Sequence, residues 1–404
     1  GNHMISVLEA QGLIFQATQL RPTAKADLHN PTYQVLAQDL CADSPLPPFD
    51  RVAMDGIAIS MAGCEKNQTR FSIEGIQRAG EPQKKMESPT SALEVMTGAV
   101  LPAGCDTVIR YEDLKIENGV AEITDLRAME SGKNIHKKGS DHQKGEVIVP
   151  KGNLLTGPVW AVAASVGCDP VEVVSRPKVA VVSTGDELVD PKCQPESHQI
   201  RRSNSFAIQA SLYSRGYCEV DVFHLPDQVE VVTRELDRCL SKYDVLIMTG
   251  GVSMGKFDFI PAALRDLKVR EVFHKVKQKP GKPFWFGVSA ENKPVFALPG
   301  NPVSSLICLH RYVLPALDRA MGLAEKCHEY AVLQEEVVFK KPLALFQPIK
   351  LKFSPEGQIL ATPVRGNGSG DFSSLALSDG FVELPDNKES FAKGEAYALF
   401  RWRY

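Results

Sequence analysis

The sequence has no apolar run near the ~20 residues that a membrane-spanning helix needs. Its best stretch, Val159 to Val166, is short and alanine-rich, and reads as core. A strong charge of one sign is also missing, since 46 Lys+Arg against 49 Asp+Glu leave a net charge of −3. Basic pairs occur at Lys84-Lys85, Lys137-Lys138, Arg201-Arg202 and Lys340-Lys341, but no basic run reaches five. Both absences argue against a membrane protein and against a general binder of nucleic acid or anionic membranes, which carries a basic excess or stripe. There is no C-x-x-C. The nine cysteines are odd in number and scattered from Cys41 to Cys327. They indicate neither a disulfide framework nor a thiolate zinc site, and a reducing cytoplasm is the expected compartment. H-E-x-x-H, G-x-S-x-G and a convincing Cys/His nucleophile pair are missing too. Gly1-Asn2-His3-Met4 reads as a tag remnant before a native start, and no signal peptide is expected.

What is present suits an ordinary soluble globular chain: 43% hydrophobic and 24% charged residues. At about 150 residues per domain, the length allows two to four domains. Residues 5–18 read as a helix, broken later by Pro45, Pro47 and Pro48. Residues 52–150 have short apolar runs between turns such as Gly80-Glu81-Pro82 and Glu117-Asn118-Gly119, which predicts small antiparallel strands and hairpins. Residues 154–168 read as helix again. From 177 onward, buried strands at 178–183, 244–249 and 295–298 and an alternating strand at 218–223 are interleaved with helices at 205–215, 228–242, from about 258, and to about 321. That interleaving predicts an open α/β sheet of mainly parallel strands. After 330 the pattern is strand-like to the end. The expected fold is therefore multidomain, α/β and β. An elongated N-terminal helical and linker domain spans 4–45 plus 141–175. A small β-rich domain spans 46–140, a central open α/β domain 176–325 and a C-terminal β domain 326–404.

Ligands of open α/β sheets bind at the carboxyl ends of the strands. Three such ends are loaded here: Ser183-Thr184-Gly185-Asp186-Glu187, Thr249-Gly250-Gly251-Val252-Ser253-Met254-Gly255, and Leu298-Pro299-Gly300-Asn301-Pro302-Val303-Ser304. Glycines admit close backbone approach, helix N-termini favour anions, and Thr184, Ser253 and Ser304 add donors. The plain alternative is tight turns alone. Gly250 to Phe257 falls one residue short of a Walker A loop, because Phe257 lacks the hydroxyl that holds Mg²⁺. Asp186, Glu187, Asp227 and Asp258 gather at the same edge, as cation or ring-system ligands or as helix caps. Lys275, Lys277, Lys279 and Lys282, stiffened by two prolines, make a cationic lip suited to an oxyanion. His136 and His142 read as surface residues, and Trp160, Trp285 and Trp402 as packing.

The pieces PPFDRVAMDGIAI (47–59), MTGAVLPAGCDTVIRYED (96–113), GSDHQKGEVIVPKG (139–152), VSTGDEL (182–188), TGGVSMGKFD (249–258), KQKPGKPFWFG (277–287) and LPGNPVSS (298–305) occur in this order. Together they resemble the molybdopterin molybdenumtransferase family, MoeA and the E domain of gephyrin. The resemblance implies a central molybdopterin-binding, MogA-like domain and an L-shaped homodimer. Its active cleft would lie between the α/β domain of one subunit and the first-half domains of the other. The reaction implied takes molybdate and adenylylated molybdopterin, releases AMP and uses Mg²⁺. An adenylyltransferase is the implied upstream partner, with no nucleic acid or membrane.

On the matching positions, the resemblance implies Asp55, Asp141, Glu187, Asp227 and Asp258 as catalytic acids, with Asp227 and Asp258 as metal ligands. Thr97, Thr184, Asp186, Gly250, Gly251, Ser253, Lys275, Lys279, Pro299, Pro302, Ser304 and Ser369 would bind substrate. Four positions depart from the family pattern, marking a divergent subgroup: Arg202 where Asp is expected, Ser140 for Glu, Ile57 for an aromatic and Arg51 for Asn. Two other functions stay open, a non-catalytic cofactor carrier or scaffold and the adenylyltransferase itself.

Overall fold

The computed structural model describes residues 3–32, 34–250, 259–365 and 372–403. Its architecture is multidomain, with a central open α/β sheet flanked by β-rich modules. The central sheet has the strand order Val220–Leu225, Val179–Thr184, Val245–Thr249, Pro294–Leu298, Trp285–Val288, Arg270–His274. The first four strands pair in parallel, and the last two join antiparallel. The expectation of a mainly parallel sheet holds, with an antiparallel addition at one edge. The edge pair Trp285–Val288 and Arg270–His274 reverses direction twice, so the outermost strand again runs parallel to Pro294–Leu298.

Successive residues of a strand face opposite sides, and both sides here are apolar. Val179, Val181, Ile247 and Phe296 face a layer that includes Ile208, Leu212, Ile307 and Leu314. Ala180, Val182, Leu246 and Met248 face Val232, Leu236, Ile260 and Leu264. Burying each larger apolar side chain contributes about 1.5–3 kcal/mol. The first layer also takes in the N-terminal helix Val7–Ala17, through Val7, Ala10 and Ile14, and the C-terminal module, through Phe346 and Phe381. Arg311 adds a polar tie between them. It is 4% exposed, pairs with Glu383 at 2.5 Å and donates to Gln11 Oε1 at 2.8 Å.

The helical run from Pro302 to Ala320 is continuous but carries a five-residue π turn, Leu309–Val313. The small module is a six-stranded sheet in the order Thr107–Arg110, Gly56–Ile59, Ala92–Val95, Arg70–Gln77, Val120–Ile123, Leu114–Glu117. Its strands were expected to be antiparallel, but Arg70–Gln77 and Ala92–Val95 pair in parallel with a register shift. The C-terminal module contributes five strands to another six-stranded sheet, whose edge strand is Gln278–Lys279. In the first module, Thr23–Ala26 pairs with Val171–Val174, and Leu40–Cys41 with Val147–Val149. All nine cysteines are free. Among the described residues, no helix is long and apolar enough to cross a membrane.

Candidate functional site

Parallel pairing puts Thr184, Thr249 and Leu298 at one edge of the central sheet. The three loops that follow touch. Gly250 has φ +91°, and a Cβ there would stand 3.1 Å from the Thr184 carbonyl oxygen. A Cβ on Gly300 would lie 3.5 Å from Gly250 Cα. Asn204 ties them together, its Nδ2 donating to Thr249 Oγ1 at 2.9 Å and to the Gly300 carbonyl at 2.8 Å. Asn204 opens the helix Asn204–Ser214 and spends its amide on the loops. Asn301 caps the next helix, accepting from the Ser304 amide at 3.1 Å, and Ser304 is buried behind it. Pro299 is buried and Pro302 half-buried in the same turn.

Asp186 and Asp227 lock each other. The Asp186 amide donates to Asp227 Oδ2 at 3.0 Å, and the Asp227 amide to Asp186 Oδ1 at 3.1 Å. Capping by Asp227 is thereby corrected. Gln228 is the cap position of the helix Val229–Lys242, and the Asp227 carboxylate points across to another loop. Each acid commits one oxygen to this exchange, and both residues are exposed. Glu187 folds over Gly185: its Oε1 lies 2.6 Å from where a Gly185 Cβ would stand, at φ +136°.

His224 fastens the same loop from below. Gly185 O can only accept, so His224 Nε2 donates to it at 3.1 Å, and Nδ1 accepts from Ser183 Oγ at 2.7 Å. Burial, then the Arg202 charge, pushes the His224 imidazole down, which favours this neutral form. Arg202 pairs with Asp190 at 3.2 Å. A positive charge thus stands beside the acidic loop, where an acid was expected. Arg202 stood out as a departure from the family pattern, but neither its pairing with Asp190 nor His224 was marked by any motif.

The segment after His274 reaches the same sheet edge, because its strand is parallel to Pro294–Leu298. Lys275 has φ +91°, and its amide donates to the Phe284 carbonyl at 3.1 Å. Backbone from two modules braces the lysine segment. The Ile5 amide donates to Lys275 O at 3.4 Å, the Lys277 amide to Ile5 O at 2.8 Å and the Ala344 amide to Lys277 O at 3.0 Å. Lys279 is exposed, with Nζ 5.9 Å from the centre of the Phe339 ring of the C-terminal module.

A second cluster lies on the small module. Asp55 Oδ1 accepts from the Thr97 amide at 2.7 Å and from Thr97 Oγ1 at 3.0 Å. Asp141 bonds His136 Nε2 at 2.8 Å, and Arg51 reaches His136 Nδ1 at 2.9 Å. His136 is therefore half-buried and engaged rather than a free surface residue. The same module has a pocket of about 390 Å³ lined by Met54, Arg110, Asp113, Asp125, Arg127 and Lys133. Among the described residues, no hydrogen bond or ion pair joins this cluster to the strand-end loops. Asp258, Gly251, Ser253 and Ser369 lie outside the described residues.

Among the described residues, the one trio of side chains close enough to share a metal ion is Asp27, His29 and Asp169, all exposed and in the first module. Asp186, Glu187 and Asp227 offer carboxylate oxygens only, the donor type that hard divalent cations take. In donor type they suit Mg²⁺, and Asp227 and Asp186 each hold an oxygen outside their mutual exchange, but the three do not gather close enough to share one ion.

Three stretches match family profiles: residues 5–167 the MoeA N-terminal region (domain I and II), 180–319 a "probable molybdopterin binding domain", and 330–398 the MoeA C-terminal region (domain IV). The molybdopterin molybdenumtransferase of Synechocystis sp. is 42% identical over 91% of this chain and 92% of its own length. That of Haemophilus influenzae is 33% identical over 93% of each chain. The crystal structure of the molybdopterin biosynthesis MoeA protein from Pyrococcus horikoshii OT3 superposes with a TM-score of 0.82 at 28% identity. It covers 99% of this chain and 100% of that one. Similarity of this extent, across every module and both residue clusters, means that the chain belongs to the molybdopterin molybdenumtransferase family.

Proposed function

We propose that the chain inserts molybdenum from molybdate into adenylylated molybdopterin and releases AMP. The observation that carries this reading is the convergence of the Thr184–Glu187, Thr249–Gly250 and Pro299–Ser304 loops on one sheet edge, tied by Asn204. Both substrates are anions. Backbone amides of the glycine loops supply neutral donors for phosphate oxygens, whereas the Thr184 and Ser304 hydroxyls are buried and Ser304 Oγ donates to Asn301 Oδ1 at 3.4 Å. Lys275 and Lys279 supply positive charge for the tetrahedral oxyanion, which needs several convergent donors rather than one strong base. Asp186 and Glu187 orient ligand or water, and the fixed position of Asp186 costs no rearrangement during the reaction. Asp227 and Asp258 would hold Mg²⁺, which would offset the charge at the bridging phosphates.

Asp55, Thr97 and Asp141 belong to the opposite wall of the cleft, contributed by the second subunit of a homodimer. Asp55, Thr97 and Asp141, hydrogen-bonded within their own pairs, are exposed and available to such a wall. The adenylated substrate comes from an adenylyltransferase, a natural neighbour of this protein. Nine unpaired cysteines suit a reducing cytoplasm.

The test is AMP release from adenylylated molybdopterin, with and without molybdate and Mg²⁺. Release that needs molybdate and yields active cofactor is expected. Tight pterin binding without release would overturn the reading in favour of a carrier. AMP transfer from ATP would make the chain an adenylyltransferase.

A further inference from the structure

The lysine segment alternates. Val276 and Gln278 are 0% and 1% exposed, whereas Lys277, Lys279 and Lys282 face solvent. A buried glutamine needs partners for its amide, because each unfilled group costs free energy. Gln278 has them. Its Oε1 accepts from Tyr312 Oη at 2.5 Å. Its Nε2 donates to the Gly281 carbonyl at 2.8 Å, with Cys308 Sγ at 3.5 Å. Tyr312 is 1% exposed and stands in the π turn Leu309–Val313, a helix irregularity of the kind often found at functional sites. Its ring also stacks on Phe284, with centroids 4.8 Å apart and 29° between planes. One tyrosine therefore grips both arms of the lysine segment, Gln278 before the Lys279-Pro280-Gly281 bend and Phe284 after it.

Stability alone does not call for this arrangement. Replacing both partners of a buried hydrogen bond with apolar groups of the same shape is often nearly neutral. What the bond does fix is register. With Gln278 held inside, Lys277 and Lys279 must point outward, and Gly281 is drawn against the helix that carries Ser304. A Cβ on Gly281 would meet Cys308 Sγ at 2.7 Å, so the fit leaves no slack.

We propose that Tyr312 and Gln278 are positioning residues that set the Lys279 ammonium at the oxyanion lip. The proposal rests on the reading of that lip as the molybdate contact. The test measures half-saturating molybdate and kcat in the AMP-release assay for the full-length protein. Three variants are compared: Lys279→Ala, Tyr312→Phe, and Tyr312→Phe combined with Gln278→Met. Lys279→Ala should raise half-saturating molybdate. Tyr312→Phe should raise it about threefold to tenfold, the worth of one buried hydrogen bond, with kcat at saturating molybdate retained. The double variant leaves no orphaned pair and guards against misfolding of the single one. It should show a rise of the same size, because both residues act through one link. If Lys279→Ala raises half-saturating molybdate while neither tyrosine variant does, the positioning role is overturned and the lip stands. A fall in kcat and melting temperature together, at unchanged half-saturating molybdate, would make the network merely structural. If Lys279→Ala has no effect, the lip falls, and the positioning role with it.

Discussion

Asn204 spends its side chain on two loops rather than on the helix it begins. Its partners, Thr249 and Gly300, are 45 and 96 residues away along the chain. Asn204→Leu keeps the branched outline of the side chain and removes both donors. It should lower the unfolding free energy in urea by about 1–3 kcal/mol, the cost of leaving polar groups unpaired, and reduce AMP release by more than that loss of fold explains. An activity equal to that of the unaltered protein would mean that the loops hold without it. The acid-bearing loops were legible in the sequence because glycine, threonine and aspartate follow an apolar run. The bonds between loops were not. Asp186 and Asp227 lie 41 residues apart, and only the parallel pairing of their strands brings each amide to the other's carboxylate. Asp227 consequently looked like a cap at the start of a helix. His224 gave no signal either, since a histidine inside a strand differs in sequence from a core residue in nothing that names its partners.

The π turn at Leu309–Val313 shows the same limit for whole elements. Residues 302–320 read as one helix, and the extra residue in one turn leaves no trace in apolar spacing. It turns His310, Arg311 and Tyr312 into the protein together, all buried. His310 Nδ1 donates to the Leu306 carbonyl at 3.0 Å, and its ring stands edge-on to Trp402. Burial pushes this imidazole down to about 4. In the unfolded chain the same group takes up a proton below about pH 6.5. Stability is thus undiminished above pH 6.5 and falls as the pH drops toward 4, by roughly 3 kcal/mol. His310→Leu should flatten this part of the profile, measured as unfolding free energy between pH 7 and 4.5. An unchanged slope would assign the acid sensitivity elsewhere. Three of the four parallel strands were legible as continuous apolar runs, and the fourth, Val220–Leu225, by its alternation. Arg270–His274 was missed because its mixed residues, Arg270, Glu271 and His274 among them, suit an edge and match neither strand pattern.

Across the whole molecule, the two residue clusters sit on different modules. If the cleft is shared between subunits, Asp55→Ala and Asp227→Ala damage different walls. Mixing the two inactive variants under exchange conditions should then restore about a quarter of wild-type activity, because half the dimers are mixed and each mixed dimer has one intact cleft. A mixture that stays inactive would place the complete site within one subunit. The modular plan itself was legible from changes in apolar pattern and turn density. The stitching between modules was not, because Arg311, Gln11 and Glu383 are unremarkable until folded together. The lysine segment is stitched in the same way, between backbone from Ile5 and from Ala344. That has a consequence for the order of events on the ribosome. A growing chain long enough to have made every acid-bearing loop still lacks Ala344, one of the two backbone braces of the lysines. Long-range closures of this kind come late in folding. A nascent chain therefore acquires its acidic side first and its cationic side last.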